Sequence, residues 1–310
     1  MNEQADGVEG TKRVTVRVTK ITNESLNNTS SRALPTPETA ASRTLRIQNE
    51  RKGRIAEVCS QRTSLLQRPR FPHRIPWKLN KKDKYLYCPI PKAGWSSWKR
   101  LWFYTSGLIN STDTDVGIRD DDVAHVDDIK NEYEGIAAMK SGRYNFSFTF
   151  VSYNSMFFCR DPWERLVSAY INKAVEYNYS RELHTPCSWE SLEPYKPDLT
   201  FEQFLTCING GSQDMHWFPQ SSLCNVCRVK FDFIGHLETV QEDAEFVIKH
   251  LGLNGTYPHS FASKKYSTKE VMEEWYQSIP ATLLKSLARL YELDFMLHGY
   301  NPKPPGRNDI

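Results

Sequence analysis

The stretch from Tyr85 to Arg100, YLYCPIPKAGWSSWKR, constrains this chain more than any other. It opens on a short apolar and aromatic run, Tyr85-Leu86-Tyr87-Cys88, which reads as a buried strand. A tight Pro91-Lys92-Ala93-Gly94 turn follows, and Ser96-Ser97-Trp98-Lys99-Arg100-Leu101-Trp102 reads as the start of a helix. Strand, tight loop and helix N-terminus gather free backbone N–H groups and the positive end of the helix dipole in one concavity. Lys92 adds a mobile cation, and Ser96 and Ser97 add hydroxyl donors. Such a unit holds phosphate; the plain alternative is an ordinary strand-to-helix turn with an incidental lysine. It is not a Walker A loop. G-x-x-x-x-G-K-[ST] is absent and the lysine precedes the glycine, which disfavours a nucleotide triphosphatase.

A second junction of the same kind lies downstream. Ser155-Met156-Phe157-Phe158-Cys159 reads as a buried strand that runs into Arg160-Asp161-Pro162-Trp163-Glu164-Arg165-Leu166-Val167-Ser168-Ala169-Tyr170. Pro162 suits the first turn of a helix, and Leu166, Val167, Tyr170 and Ile171 fall at helical spacing. Arg160 is therefore set at a strand's carboxyl end, where its fork suits a phosphate, with Ser168 two turns into the helix. The structural alternative is that Arg160 and Asp161 pair as a cap. Phe231-Asp232-Phe233-Ile234-Gly235 reads as a third strand with a glycine stop, and Val240–Leu251 as a helix. From Val271 to Tyr300 strong helical periodicity marks core packing and no chemistry.

At 310 residues the chain can bury one large or two modest domains. No run of eighteen apolar residues occurs, so no membrane span is expected, and no signal peptide is visible. A net charge of +3 argues against a general nucleic-acid binder. The balance is uneven, since residues 43–84 hold thirteen Lys and Arg against three acids. Residues 43–70 read as a polar helix with a solvated face, or as an electrostatic rim for an anionic partner. Residues 1–42 are rich in Ser, Thr, Asn, Glu and Ala and cannot form a core. The expected organisation is a disordered or basic stem over 1–70, a folded domain over 71–301 and a polar tail over 302–310.

Two clusters carry candidate bases. His125 lies within the acidic run 120–128, where a metal site is conceivable but no ligand spacing recurs, so no metal is assigned. His216 lies in Asp214-Met215-His216-Trp217-Phe218-Pro219-Gln220, which has the aromatics and hydrogen-bonding groups of a sugar-facing surface, or of a packed turn. Seven cysteines include a lone C-x-x-C at Cys224 and Cys227, better suited to disulfides than to a zinc ribbon. Seven N-x-[ST] sequons, at Asn23, Asn27, Asn28, Asn110, Asn145, Asn178 and Asn254, lean towards the secretory pathway.

Taken in order, the runs at 88–100, 160–170, 214–220, 231–238 and 290–300 resemble the Golgi carbohydrate sulfotransferases that sulfate chondroitin, dermatan and related glycans. The resemblance spans roughly residues 84–301. It implies a P-loop-like α/β fold of three layers around a central parallel sheet. It also implies 3′-phosphoadenosine 5′-phosphosulfate (PAPS) as donor and a glycosaminoglycan or glycoprotein glycan as acceptor. Pro91, Lys92, Ala93, Gly94, Trp95, Ser96 and Ser97 would hold the 5′-phosphosulfate, and Arg160 and Ser168 the 3′-phosphate. Two positions depart from the family, where Cys is common at 95 and Asn at 97. Lys92 would bridge to the leaving group, His125 is the first choice of base, and His216 the second, or an acceptor-sugar ligand. The commonest acceptor among relatives is the 4-hydroxyl of N-acetylgalactosamine, with a terminal glucuronic acid the main alternative. A Golgi lumenal, membrane-associated location is implied as well. Against the enzyme stand a P-loop-like kinase, whose only magnesium candidates are in 120–128, and a non-catalytic glycan-binding relative.

Overall fold

The computed structural model describes residues 39–61, 77–80, 82–107, 109–112, 153–176, 199–258 and 268–309. Residues 39–310 form one compact unit. The chain enters on helix α1 (Ala40–Gln61), followed by strand β1 (Lys78–Asn80) and strand β2 (Tyr85–Cys88). Helix α2 (Trp95–Thr105), strand β3 (Asn154–Cys159) and helix α3 (Pro162–Tyr170) come next, and α3 continues into a π-helical turn, Ile171–Glu176. Then follow α4 (Phe201–Asn209), the short α5 (Gln220–Leu223), β4 (Phe233–His236) and α6 (Val240–Leu251). Helices α7 (Thr268–Gln277), α8 (Ala281–Leu290) and α9 (Glu292–His298) close the fold.

The sheet has the order β1-β2-β3-β4. Strands β2, β3 and β4 are mutually parallel, and β1 is an antiparallel edge. The parallel strands are buried on both faces, as their apolar runs require. Tyr85, Tyr87, Met156, Phe158 and Phe233 pack with Trp98, Leu101, Trp102, Ala244 and Val247 of α2 and α6. Alternate residues Cys88, Phe157, Cys159 and Ile234 turn to the opposite face, against Leu293 and Leu297 of α9 and Ile55 and Val58 of α1. The period of two along each strand is what sends neighbours to opposite faces. A further core joins α3, α4, α7 and α8 around Trp163, Phe204, Tyr276 and Leu284.

The three expected strands and the strand-to-helix junctions are present in this α/β fold. Two details differ. Gly235 lies inside β4 instead of ending it, because a Cβ there would fall 2.1 Å from the Phe158 ring of β3. The periodic tail is three helices, with Pro280 at the N-cap of α8 and Tyr291 between α8 and α9. Helix α1 covers residues 43–61 of the expected polar helix, whose remainder lies outside the described residues, and packs onto the sheet. Gln48 is buried, donates from Nε2 to Ile234 O at 2.9 Å, and accepts at Oε1 from Ile234 N at 2.9 Å. Its amide thus completes the hydrogen bonding of edge strand β4 as an added strand would.

Disulfides Cys59–Cys227 and Cys88–Cys224 tie the C-x-x-C segment to α1 and to β2. Cys207 is disulfide-bonded as well, and Cys159 is a buried free thiol. No helix among the described residues is long and apolar enough to cross a membrane.

Candidate active site

Because β2 and β3 are parallel neighbours, the loops leaving their carboxyl ends lie side by side, the position where α/β folds bind ligands. The first loop is held in a sparsely populated conformation. Lys92 has a φ of 68°, and Gly94, the N-cap of α2, a φ of 82°. Glycine is required at 94 twice over, since a Cβ would also fall 2.8 Å from the Tyr257 hydroxyl. No side chain caps α2, so the first-turn N–H groups of Trp95, Ser96 and Ser97 have no partner within the helix. Ser97 is buried and hydrogen-bonds Tyr257, whose own burial pushes its pKa up to about 12. Trp95 is half-buried, with the ammonium groups of Lys78 and Lys99 at 6.0 and 5.8 Å from its ring centroid.

The second junction grips the first. Asp161 caps α3 by accepting from Trp163 N and Glu164 N, so the expected Arg160–Asp161 cap resolves into an aspartate cap alone. Arg160 is buried and donates to Lys92 O at 3.3 Å, to Glu164 Oε2 at 3.2 Å and to Thr268 Oγ1 at 2.7 Å. Its main chain is clamped by Gln220, which accepts from Arg160 N and donates to Arg160 O. A guanidinium this deep requires a carboxylate partner, and Glu164 supplies it. Ser168 is buried one turn before Asn172, whose Oδ1 accepts from Lys92 Nζ at 2.6 Å. Lys92, Arg160 and the α3 turn carrying Ser168 are therefore gathered around one loop.

His216 belongs to the same neighbourhood. Its backbone N and its Nδ1 both meet Asp214 Oδ1, at 2.8 and 2.6 Å. Burial lowers the His216 pKa, and the nearby charges of Lys173 and Lys92 push the same way, against the raising effect of Asp214. Burial raises Asp214, yet the hydrogen bonds and charge of His216 bring it below its ordinary value. The two shifts describe a neutral imidazole that donates from Nδ1 to an ionised carboxylate. Nε2 then carries the lone pair and has no hydrogen-bond partner among the described residues.

Arg165 is the residue that a sequence reading passes over. It is fully buried, and burial lowers its pKa to about 10. It donates to Pro91 O, Phe218 O and Met215 O at 3.0, 2.7 and 2.8 Å, binding the first loop to the segment that carries His216. Its sequence signal was its position on the apolar side of α3, between Trp163 and Leu166. Asn172 gave no signal at all. Of the other expected site residues, Ala93 is buried and Ser96 half-buried at the loop, and His125 lies outside the described residues.

Comparison with known proteins identifies the family. Residues 77–301 match the profile described as "Sulfotransferase family". The chain belongs to the sulfotransferase family and is a sulfotransferase enzyme. It is 30% identical over 276 residues to carbohydrate sulfotransferase 14 of Danio rerio, covering 82% of this chain and 71% of that one. It is 27% identical to carbohydrate sulfotransferase 11 of Rattus norvegicus, over 84% of this chain and 78% of the relative. It is 26% identical to carbohydrate sulfotransferase 8 of Mus musculus, over 90% and 70%. The resemblance read from the motifs is thereby confirmed. No solved structure matches the chain.

Proposed function

We propose that this protein moves a sulfuryl group from PAPS to a sugar hydroxyl, the 4-hydroxyl of N-acetylgalactosamine in chondroitin or dermatan. The observation that carries the reading is the convergence of Lys92, the uncapped N-terminus of α2 and the Asp214–His216 pair on one loop-lined region. The parallel strands between helix layers support the P-loop-like form of the fold.

In this mechanism the N–H groups of Trp95, Ser96 and Ser97 and the ammonium of Lys92 hold the 5′-phosphosulfate. Ala93 and Gly94 keep the loop close to it, and Pro91 anchors it through Arg165. Arg160 and Ser168 receive the 3′-phosphate, Arg160 by sharing its outer N–H groups between that phosphate and Glu164. The acceptor hydroxyl oxygen attacks sulfur and its proton passes to His216 Nε2. The bond from sulfur to the phosphate oxygen breaks, and Lys92 offsets the charge left on adenosine 3′,5′-bisphosphate. Asp214 holds the ring in the tautomer that leaves Nε2 free to accept. No step uses a metal. His125 is the rival base. The disulfides and the exposure of the sequon residues Asn110 and Asn254 support an oxidising, glycosylating compartment, taken as the Golgi lumen.

Transfer of radiolabelled sulfate from PAPS to a panel of desulfated glycosaminoglycans tests the reading. Chondroitin or dermatan should accept at C4, and Lys92→Ala should lower kcat by about 10²–10³. Full activity of His216→Ala beside an inactive His125→Ala would move the base to His125. Absence of transfer to every glycan, with no binding of adenosine 3′,5′-bisphosphate, would overturn the proposal.

A further inference from the structure

One buried cluster takes no part in the chemistry above. Cys159 ends β3 and His236 ends β4, and the two are direct partners in the parallel register, so their side chains emerge on one face. His298, the last residue of α9, comes down onto that face with its ring 6.2 Å from the His236 ring. One ligand atom from each of the three lies within 4.8 Å of the other two.

The polar atoms here are poorly satisfied. His298 is 5% exposed, and neither of its ring nitrogens has a hydrogen-bond partner among the described residues. Nε2 of His236 is buried and unpartnered too. The Cys159 thiol has only weak sulfur contacts, to Gly235 O at 3.4 Å and to the Tyr300 hydroxyl at 3.6 Å. An orphaned buried nitrogen costs about 1–3 kcal/mol, and a core that carries three of them on two adjacent histidines calls for a ligand. Two imidazoles and a thiol form a borderline-soft donor set suited to zinc. Ideal bonds of about 2.0–2.3 Å put tetrahedral ligand atoms about 3.3–3.8 Å apart, so closing onto an ion needs shifts of under about 1 Å. The Tyr300 hydroxyl, bonded to Glu238 at 2.8 Å, borders the fourth side. Arg51 and Arg54 face the histidines, while Glu238 and Asp243 face Cys159, so the surrounding charge is mixed.

We propose that Cys159, His236 and His298 form a structural zinc site that clips α9 to the carboxyl ends of β3 and β4. Binding replaces the S–H bond of Cys159 by an S–Zn bond and releases that proton to solvent; the two neutral histidines give lone pairs and no proton. The clip lies one residue from Arg160 and two from Glu238, which accepts from Asp161 N at 2.8 Å, so it would stiffen the floor beneath the second junction. It is independent of sulfuryl transfer and is read without turnover.

The test uses the full chain, oxidised and stripped with a chelator, then titrated with zinc chloride or cobalt chloride. Expected are one zinc per chain by elemental analysis and a raised melting temperature. Cobalt should give tetrahedral visible bands and a near-ultraviolet thiolate-to-cobalt band. Cys159→Ser should lose the near-ultraviolet band, and His298→Gln should weaken zinc binding at least tenfold. The wild-type titration stands whether or not either variant folds. Folded wild-type protein that takes up neither metal at micromolar concentration would overturn the proposal. So would zinc retained equally by both variants, which would put the metal elsewhere.

Discussion

At the scale of single residues, Lys92 and His216 make the sharpest predictions. The left-handed backbone at Lys92 strains any residue with a Cβ by roughly 1 kcal/mol. Lys92→Gly should therefore be more stable than Lys92→Ala by about that amount in urea unfolding, while both lose the same factor of about 10²–10³ in kcat. The pair separates strain from charge, since only the latter bears on transfer. For His216 the sign follows from its lowered pKa. The neutral, proton-accepting form is complete above that pKa, so kcat should fall as pH drops below it, with a midpoint under the ordinary 6.5. Asp214→Asn removes the charge that holds the pKa up. The acid limb should then move to still lower pH, while kcat itself falls about tenfold or more. A pH–rate profile of both proteins reads this directly.

The placement of residues was legible in the sequence where a local motif carries it, as at Lys92, Gly94 and Arg160, which the structure sets at the two junctions. It was illegible where a distant contact does. Nothing near Asn172 announces that its amide holds the Lys92 ammonium, because that contact spans eighty positions of chain. Arg165 sits on the apolar side of α3 in the sequence, but the carbonyls it binds could not be read until the fold placed Pro91, Met215 and Phe218 around it.

At the scale of elements, the edge of the sheet is the vulnerable place. Gln48 satisfies the N–H of Ile234 and shares its carbonyl with Arg51, so Gln48→Ala orphans the N–H alone. A loss of about 1–3 kcal/mol in denaturant unfolding is expected. Gly235→Ala should cost about 1–3 kcal/mol through displacement of the Phe158 ring, with α1 left intact. The three parallel strands were readable because their apolar runs are short, largely aromatic, and bounded by turn residues, whereas the polar edge strand β1 was not. The role of α1 was not, because it docks through the buried amide of Gln48 and one short apolar patch, Ile55, Val58 and Cys59, on an otherwise polar helix. Arg51, within that basic segment, is held by Asp243 at 2.7 Å and by Ile234 O. Its neutralisation should lower stability, whereas neutralising exposed Arg46 should not. Only exposed members of the segment are available to a polyanionic chain.

For the whole molecule, the two mapped disulfides fix which distant parts share the fold. Replacing Cys88 and Cys224 together by serine should cost about 2–5 kcal/mol, read as a fall in thermal midpoint against an unchanged native spectrum. The α/β class and its two junctions followed from the sequence because each is local. Which cysteines join did not, since seven cysteines leave many pairings and only the packed sheet brings these together.

The separations of those bonds have a consequence for synthesis. Cys59 and Cys88 leave the ribosome long before their partners, which follow 168 and 136 residues later. Until Cys159 follows, each of the two thiols has the other as its nearest cysteine, and a bond between them would exclude both native ones. Maturation of this protein must therefore be a timing problem. Its yield is set by how long Cys59 and Cys88 can be kept reduced, or how quickly a wrong bond is exchanged, before the Cys224–Cys227 segment arrives.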